Sequence, residues 1–327
     1  MRYGVVGDAF LDVVAPIRGQ DLPAWGGDVP TRSAILPQSG GSALNCASHL
    51  ASLLRGRADD DEVLFFGKVG RDAWANVLKM HASACGVDWK CVESNEESTG
   101  VCVVISSQVD DRCFVTDCGS TSSLLLSDFS ESDLMSCDHL HIGGLFSCKE
   151  LQRTICGHLV KLRSQNHKLT ISLDTNFDAS ENWGWEEALG RSDDGGSNGV
   201  NWIHSELLPC VDYLLVNEVE AVGIAFPPST RALLGSPEEA VCVLQRLLAP
   251  GGVAVASCGC EGAVAAKGGA RYSCKSPNLG NAFKDSTGSG DAFDSGFLLS
   301  MHVTKGDVQA SLSFACAAGA SNCKVSS

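Results

Sequence analysis

Short apolar runs alternate with helical patterns along this chain, and that alternation restricts its fold more than any other feature. Tyr3–Val6, Val63–Phe66, Leu140–Ile142, Leu169–Leu173, Tyr213–Val216 and Val253–Ser257 read as strands. Trp74–Cys85, Glu150–Asn166, Pro237–Leu248 and Val308–Ser321 read as helices between them. Strand and helix in repeated alternation predict a central, mostly parallel sheet with helices on both faces. Ligands of such sheets gather at the carboxyl ends of the strands. Two stretches break the pattern. Thr99–Ile105 and Arg112–Thr116 are β-rich and joined by the polar turn Val109-Asp110-Asp111, and Val13–Pro37 has no helical period. They predict a small β appendage. With no linker-like tract in 327 residues, a single α/β domain over 1–327 is expected.

Charge narrows the partners. A formal net charge of −15 argues against nucleic acid or an anionic membrane as partner. It also requires any anionic co-substrate to be held locally, by backbone dipoles, a few cations and a metal. The sixteen cysteines include no Cys-x-x-Cys pair, and several (Cys102, Cys242, Cys316) lie in apolar runs where a free thiol acts as a small hydrophobe. Met1-Arg2-Tyr3 leads directly into a strand with no signal-peptide pattern, and no stretch reaches transmembrane length. A reduced, cytoplasmic protein is expected. The acidic run Asp59-Asp60-Asp61-Glu62 and the loop Arg191–Asn201 read as solvated surface.

The chemistry concentrates in two glycine-rich segments. Asp285-Ser286-Thr287-Gly288-Ser289-Gly290-Asp291 runs into an apolar, helix-like stretch. A small loop feeding a helix start aims unpaired N–H groups at one point, where the helix dipole adds to them and an anion is favoured. Asp291 would repel that anion unless its task is to take a proton from the group attacking it. An anion hole and a base at one helix start are what phosphoryl transfer to a hydroxyl requires. In the second segment Gly40-Gly41-Ser42-Ala43-Leu44-Asn45 opens another helix, with Ala47, Leu50, Ala51 and Leu54 forming one stripe. Asn45 sits in its first turns, where a polar side chain faces either a cleft or solvent.

Together the two segments resemble the paired signatures of the PfkB carbohydrate kinase family, the ribokinase-like kinases. The resemblance implies the ribokinase-like fold and identifies the β appendage (about 13–37 and 99–116) as a lid over the sugar site. It implies an ATP-dependent kinase acting on a hydroxymethyl group of a sugar or sugar-like molecule. Asp291 would be the base, with the N–H groups of Gly288, Ser289 and Gly290 holding the developing charge. Asp12, Gly40, Gly41 and Asn45 would hold the acceptor, with Asp8 the competitor of Asp12. Asn217, Gly259, Gly262, Asp285 and Thr287 would serve ATP, and Glu220, in an Asn-x-x-Glu motif, Mg²⁺. Gly67-Lys68-Val69-Gly70-Arg71-Asp72 resembles a family turn in which Asp72 caps the next helix and Lys68 faces the cleft.

The chain also departs from the pattern. Asp174 and Asn176 resemble the family's Asp-x-Asn, but Asp178 stands where an arginine is common. Gly143-Gly144-Leu145 lacks the carboxylate that grips ribose, so ribose is not named as the acceptor. Asp285 and Thr287 match half of a monovalent-cation site, which leaves K⁺ open as a further cofactor, and pairing of two lids would give a homodimer. Gly143-Gly144-Leu145-Phe146-Ser147 resembles adenosine kinases, which keeps a nucleoside acceptor as the alternative. A sugar-phosphate acceptor would call on Arg32, Lys68 and Arg112. A catalytically inactive binding protein on the same fold is the reading from another class.

Overall fold

In chain order the strands are β1 (Arg2–Gly7), β2 (Phe10–Pro16), β3 (Leu36–Gly40), β4 (Glu62–Phe66), β5 (Lys68–Gly70), β6 (Asp88–Trp89), β7 (Val92–Ser94) and β8 (Gly100–Ser106). They continue with β9 (Arg112–Asp117), β10 (His139–Gly143), β11 (Thr170–Leu173), β12 (Tyr213–Asn217), β13 (Val253–Ser257), β14 (Ala263–Lys267) and β15 (Ala270–Cys274). The helices are α1 (Ser42–Leu54), α2 (Ala73–Cys85), α3 (Glu131–Met135), α4 (Lys149–Gln165), α5 (Glu218–Ala225), α6 (Arg231–Leu234), α7 (Pro237–Gln245), α8 (Ser289–Val303) and α9 (Val308–Asn322). This computed structural model describes residues 1–18, 22–57, 60–107, 112–185 and 201–324. The turn at 109–111, Asp59 and the loop 191–200 lie outside the described residues.

Nine strands form one sheet in the order β15-β14-β13-β12-β11-β10-β1-β4-β6. Every pairing from β13 to β6 is parallel; β14 pairs antiparallel with both β13 and β15, so β14 alone runs against the rest. Alternation along each strand sends successive side chains to opposite faces. Val6, Ile142, Leu173 and Leu214 pack with α4, α5 and α7 on one side. Val5 and Phe65 meet α1 and α2 on the other, and Leu215, Val253 and Val255 meet α8 and α9 beside them. Buried on both faces, the strands read as the continuous apolar runs seen in the sequence.

The chain leaves β1 for β4 on one side and later returns through β10 on the other. That reversal is a topological switch point, where doubly wound sheets bind their ligands. A separate four-stranded sheet, β3-β2-β8-β9, stands at this place. Its β2 begins at Phe10, three residues after β1 ends at Gly7, and its β3 ends at Gly40 just before α1. This small sheet therefore starts earlier than the expected appendage.

Candidate active site

α8 starts at Ser289 with Gly288 as its cap. The Ser289 N–H is spent on Ser286 O at 3.1 Å, and the Ala292 N–H on Gly288 O at 3.0 Å. The N–H groups of Gly288, Gly290 and Asp291 have no protein partner among the described residues. These three, and not the Ser289 N–H, are left open at the start of the helix, where an anion is favoured. Ser289 and Gly290 line a cavity of about 510 Å³ whose other walls include Gly259, Gly262, Phe283 and Gly319. Gly262 is fixed by sterics: at φ +110, a Cβ there would sit 1.9 Å from Cys274 O.

On the other side of the α8 start lies the Gly40-Gly41 turn. Gly41 caps α1 at φ 95, and a Cβ on it would meet Asp8 O at 2.8 Å. Asp8 is committed to this turn, since its Oδ1 accepts the Ala43 N–H at 2.8 Å. Asp12 is not. Its carboxylate lies beside Gly40, where a Cβ would collide with it at 2.2 Å. It has no hydrogen-bond partner among the described residues, and burial followed by the charge of Asp8 pushes its pKa up to about 7. Of the two acids, Asp12 is the one open to a ligand.

Asp291 sits between the two halves. Its Oδ2 accepts from Asn45 Nδ2 at 2.9 Å and its Oδ1 from Ser42 Oγ at 2.9 Å. Burial is the main cause that pushes its pKa up to about 8; Asn45 opposes the rise and the charge of Asp174 adds to it. Asn45 thus holds Asp291 in this structure. Ser42 also reaches Asp174 Oδ2 at 2.8 Å, a bridge that no local pattern signals, because its partners lie 132 and 249 residues away.

Asn217 and Glu220 cap α5 reciprocally. Asn217 Oδ1 accepts the Val219 and Glu220 N–H groups, each at 2.9 Å, and Glu220 accepts from Asn217 Nδ2 at 2.6 Å and Asn217 N at 3.0 Å. Glu220 is buried, and its pKa is raised by that burial and then by the charge of Asp174. Arg112, on β9, donates to Thr287 Oγ1 and Asp285 Oδ1, tying the small sheet to the loop before α8. The other expected cations are engaged too. Arg32 donates to Ser107 O, and Lys68 to Ser123 O at 3.0 Å with Asp128 at 3.4 Å. Asp72 caps α2 through the Ala75 N–H. Asp178, in the place of an arginine, closes its own turn by accepting from Ser180 N and Trp183 N.

A sheet of this topology, with an anion-binding helix start beside its switch point, defines the ribokinase-like class of phosphotransferases. The chain belongs to the pfkB family of carbohydrate kinases, whose model matches residues 5–184 and 197–327. Solved structures agree on the fold. A ribokinase from Giardia lamblia is 18% identical with a TM-score of 0.74, covering 100% of this chain and 93% of its own. An Arabidopsis thaliana ribokinase complexed with ribose and ATP is 21% identical with a TM-score of 0.72, covering 100% and 93%. A putative ribokinase II from E. coli in complex with ATP and Mg²⁺ is 18% identical with a TM-score of 0.73, covering 99% and 92%. No curated protein sequence matches the chain.

Proposed function

We propose that this kinase moves the γ-phosphate of ATP to a hydroxymethyl group of a sugar, with Asp291 taking the hydroxyl proton. The position of Asp291 carries the reading: one side of its helix start opens on the 510 Å³ cavity, and its carboxylate meets the Gly41–Asn45 turn. ATP entering from the cavity would set its γ-phosphate on the N–H groups of Gly288, Gly290 and Asp291. The acceptor would lie against Asp12 and Gly40, with the reacting hydroxyl on Asp291. ATP turnover over a panel of sugars, nucleosides and sugar phosphates tests this, with sugars expected to be the best acceptors. Sugar phosphates are expected to be poor, because Arg32 and Lys68 are occupied by carbonyls and Asp128. K⁺ has no role in this reading, since Arg112 already places a positive charge on Asp285 and Thr287.

Mg²⁺ fits the donors present. Glu220, Asp174 and Asp294 offer only oxygen, and burial followed by the charge of Asp174 raises the pKa of both Glu220 and Asp294. Among the described residues no group of three or more His, Cys, Asp or Glu side chains is placed to hold a metal alone. This suits an ion that keeps several waters and arrives with phosphates, with Glu220 as its protein contact. Bound there, Mg²⁺ would neutralise charge on the phosphates. Glu220→Gln is expected to raise the Mg²⁺ concentration needed for half-maximal rate while the protein stays folded. An unchanged Mg²⁺ titration would remove Glu220 from the metal site.

The small sheet would close over the acceptor as a lid, so that the hydroxyl rather than water attacks. Arg112 is the observation that favours this, since it already links β9 to the catalytic loop. In hydrogen exchange, peptides covering Gly100–Ser106 and Arg112–Asp117 should gain more protection on adding acceptor than those in α9. Equal gains in both would show that no closure occurs.

A further inference from the structure

Strand pairing sets the side chains of the small sheet in rows. Gln38, Asp12, Cys102 and Thr116 pair across its four strands, so they share one face. One pleat further out, Leu36, Val14, Val104 and Phe114 pair in the same way and form the next row on that face. The face looks onto the active site. Asp12 lies beside Gly40, and Arg112, two residues from Phe114 on β9, reaches Asp285 and Thr287 before α8. The opposite face is turned to the core, where Leu11, Val13 and Val101 pack with α1 and α2.

The two rows differ in chemistry. The inner one holds an amide, a carboxylate and a hydroxyl, and Thr116 Oγ1 donates to Cys102 Sγ at 3.2 Å. The outer one has no hydrogen-bonding side chain, yet it is not covered as a core row would be. Leu36 and Phe114 at its ends are 53% and 59% exposed, while Val104 between them is 3% exposed. Val14 and Val104 cluster with Phe10 and Cys102, apart from the three clusters that fill the main domain. The row is an apolar strip with a filled floor and two free ends, about 14 Å from outer strand to outer strand.

Its place relative to Asp291 gives the strip a use. Gly40 pairs with Phe10 at the inner end of the sheet, and the Gly41–Asn45 turn that follows meets Asp291. Outward from there the Asp12 row comes first, and the apolar row lies roughly 7 Å beyond it. An acceptor with its reacting hydroxyl on Asp291 and other hydroxyls on Asp12 would set its far end on the strip. Hydroxyls placed there would leave water and find no side-chain partner, which is costly. The polar edges of a nucleobase meet the same penalty. A hydrocarbon group does not.

We infer that the acceptor is a sugar carrying an apolar ring or chain at the end away from the reacting hydroxymethyl group, and that Phe114 selects it. The inference rests on the placement of the acceptor on Asp12 proposed above. Phe114 offers the largest free apolar surface of the row, and its ring can stack on a flat group.

Binding calorimetry without ATP, on a set of pentoses and hexoses and on their phenyl glycosides, tests it. The phenyl glycoside of the best sugar is expected to bind about tenfold or more tightly than its parent, with a more negative heat-capacity change. Phe114→Ala should close that difference, and Phe114→Leu should keep most of it. Because Phe114 is exposed, its truncation leaves the core intact. The inference is overturned if no glycoside binds, if the difference is absent or survives in Phe114→Ala, or if a nucleoside binds more tightly than every glycoside. Should Phe114→Ala instead split a dimer and leave the difference in place, the strip covers a second copy and the inference falls. Since ATP is left out, a failure of phosphoryl transfer would sink the kinase reading without touching the binding result.

Discussion

Asp291→Asn is expected to lower kcat at least about a hundredfold, and up to about ten-thousandfold, while ATP binding and thermal stability stay close to wild type. The drop follows if the proposed proton acceptor is removed while the N–H groups of Gly288 and Gly290 stay in place. Stability should hold for a separate reason. Burial raises the Asp291 pKa to about 8, so the folded state disfavours the ionised side chain. An acid whose folded pKa is raised costs stability as pH climbs above its unfolded value, and the neutral amide lifts that cost. The melting temperature of the variant should therefore match or exceed wild type at alkaline pH. Turnover within a few-fold of wild type with the best acceptor would exclude Asp291 as the base. A large fall in melting temperature would mean that its role is structural.

How much of this was legible in the sequence depended on the range of each interaction. The parallel strands were legible because burial on both faces leaves a run of apolar residues with no polar gap, as in Tyr213–Val216 and Val253–Ser257. The β14–β15 hairpin was missed although it carried a local signal: Gly268 and Gly269 adopt φ 56 and 83, the pattern of a two-residue hairpin turn. Both strands are short and β14 is alanine-rich, which hid them. Within the site, the glycine loops were readable because a helix start binds anions whatever the rest of the chain does. The spacing of three between Asn217 and Glu220 also carried a capping signal, but the sequence pointed to ATP and Mg²⁺ for these two residues, and the reciprocal cap emerged only with the structure. The Ser42 bridge and the reach of Arg112 to Asp285 and Thr287 were not. Both join segments more than a hundred residues apart, and side-chain direction across such a distance is set by tertiary packing alone.

Asp12→Ala should reduce kcat/KM for the acceptor about a hundredfold or more and leave the KM for ATP nearly unchanged. Asp12 is the acid at the switch point with no hydrogen-bond partner among the described residues, whereas Asp8 holds the Ala43 N–H. A carboxylate in this position can accept two acceptor hydroxyls, and hydrogen bonds to charged groups contribute about 1.5–3 kcal/mol each. Losing both gives the expected factor, at about 1.4 kcal/mol per tenfold. ATP should be spared because the cavity proposed for it is lined by Gly259, Phe283 and Gly319, across the α8 start from Asp12. The pH dependence supplies a second, independent sign. With its pKa raised to about 7, Asp12 is half ionised near neutrality in the free protein. A ligand that prefers the carboxylate should bind more tightly as pH rises through that value, and the trend should vanish in Asp12→Asn. If the acceptor's kcat/KM falls by only a few-fold, or the KM for ATP rises in step with it, Asp12 does not grip the acceptor. The small sheet would then be a cover over the site rather than part of its recognition surface.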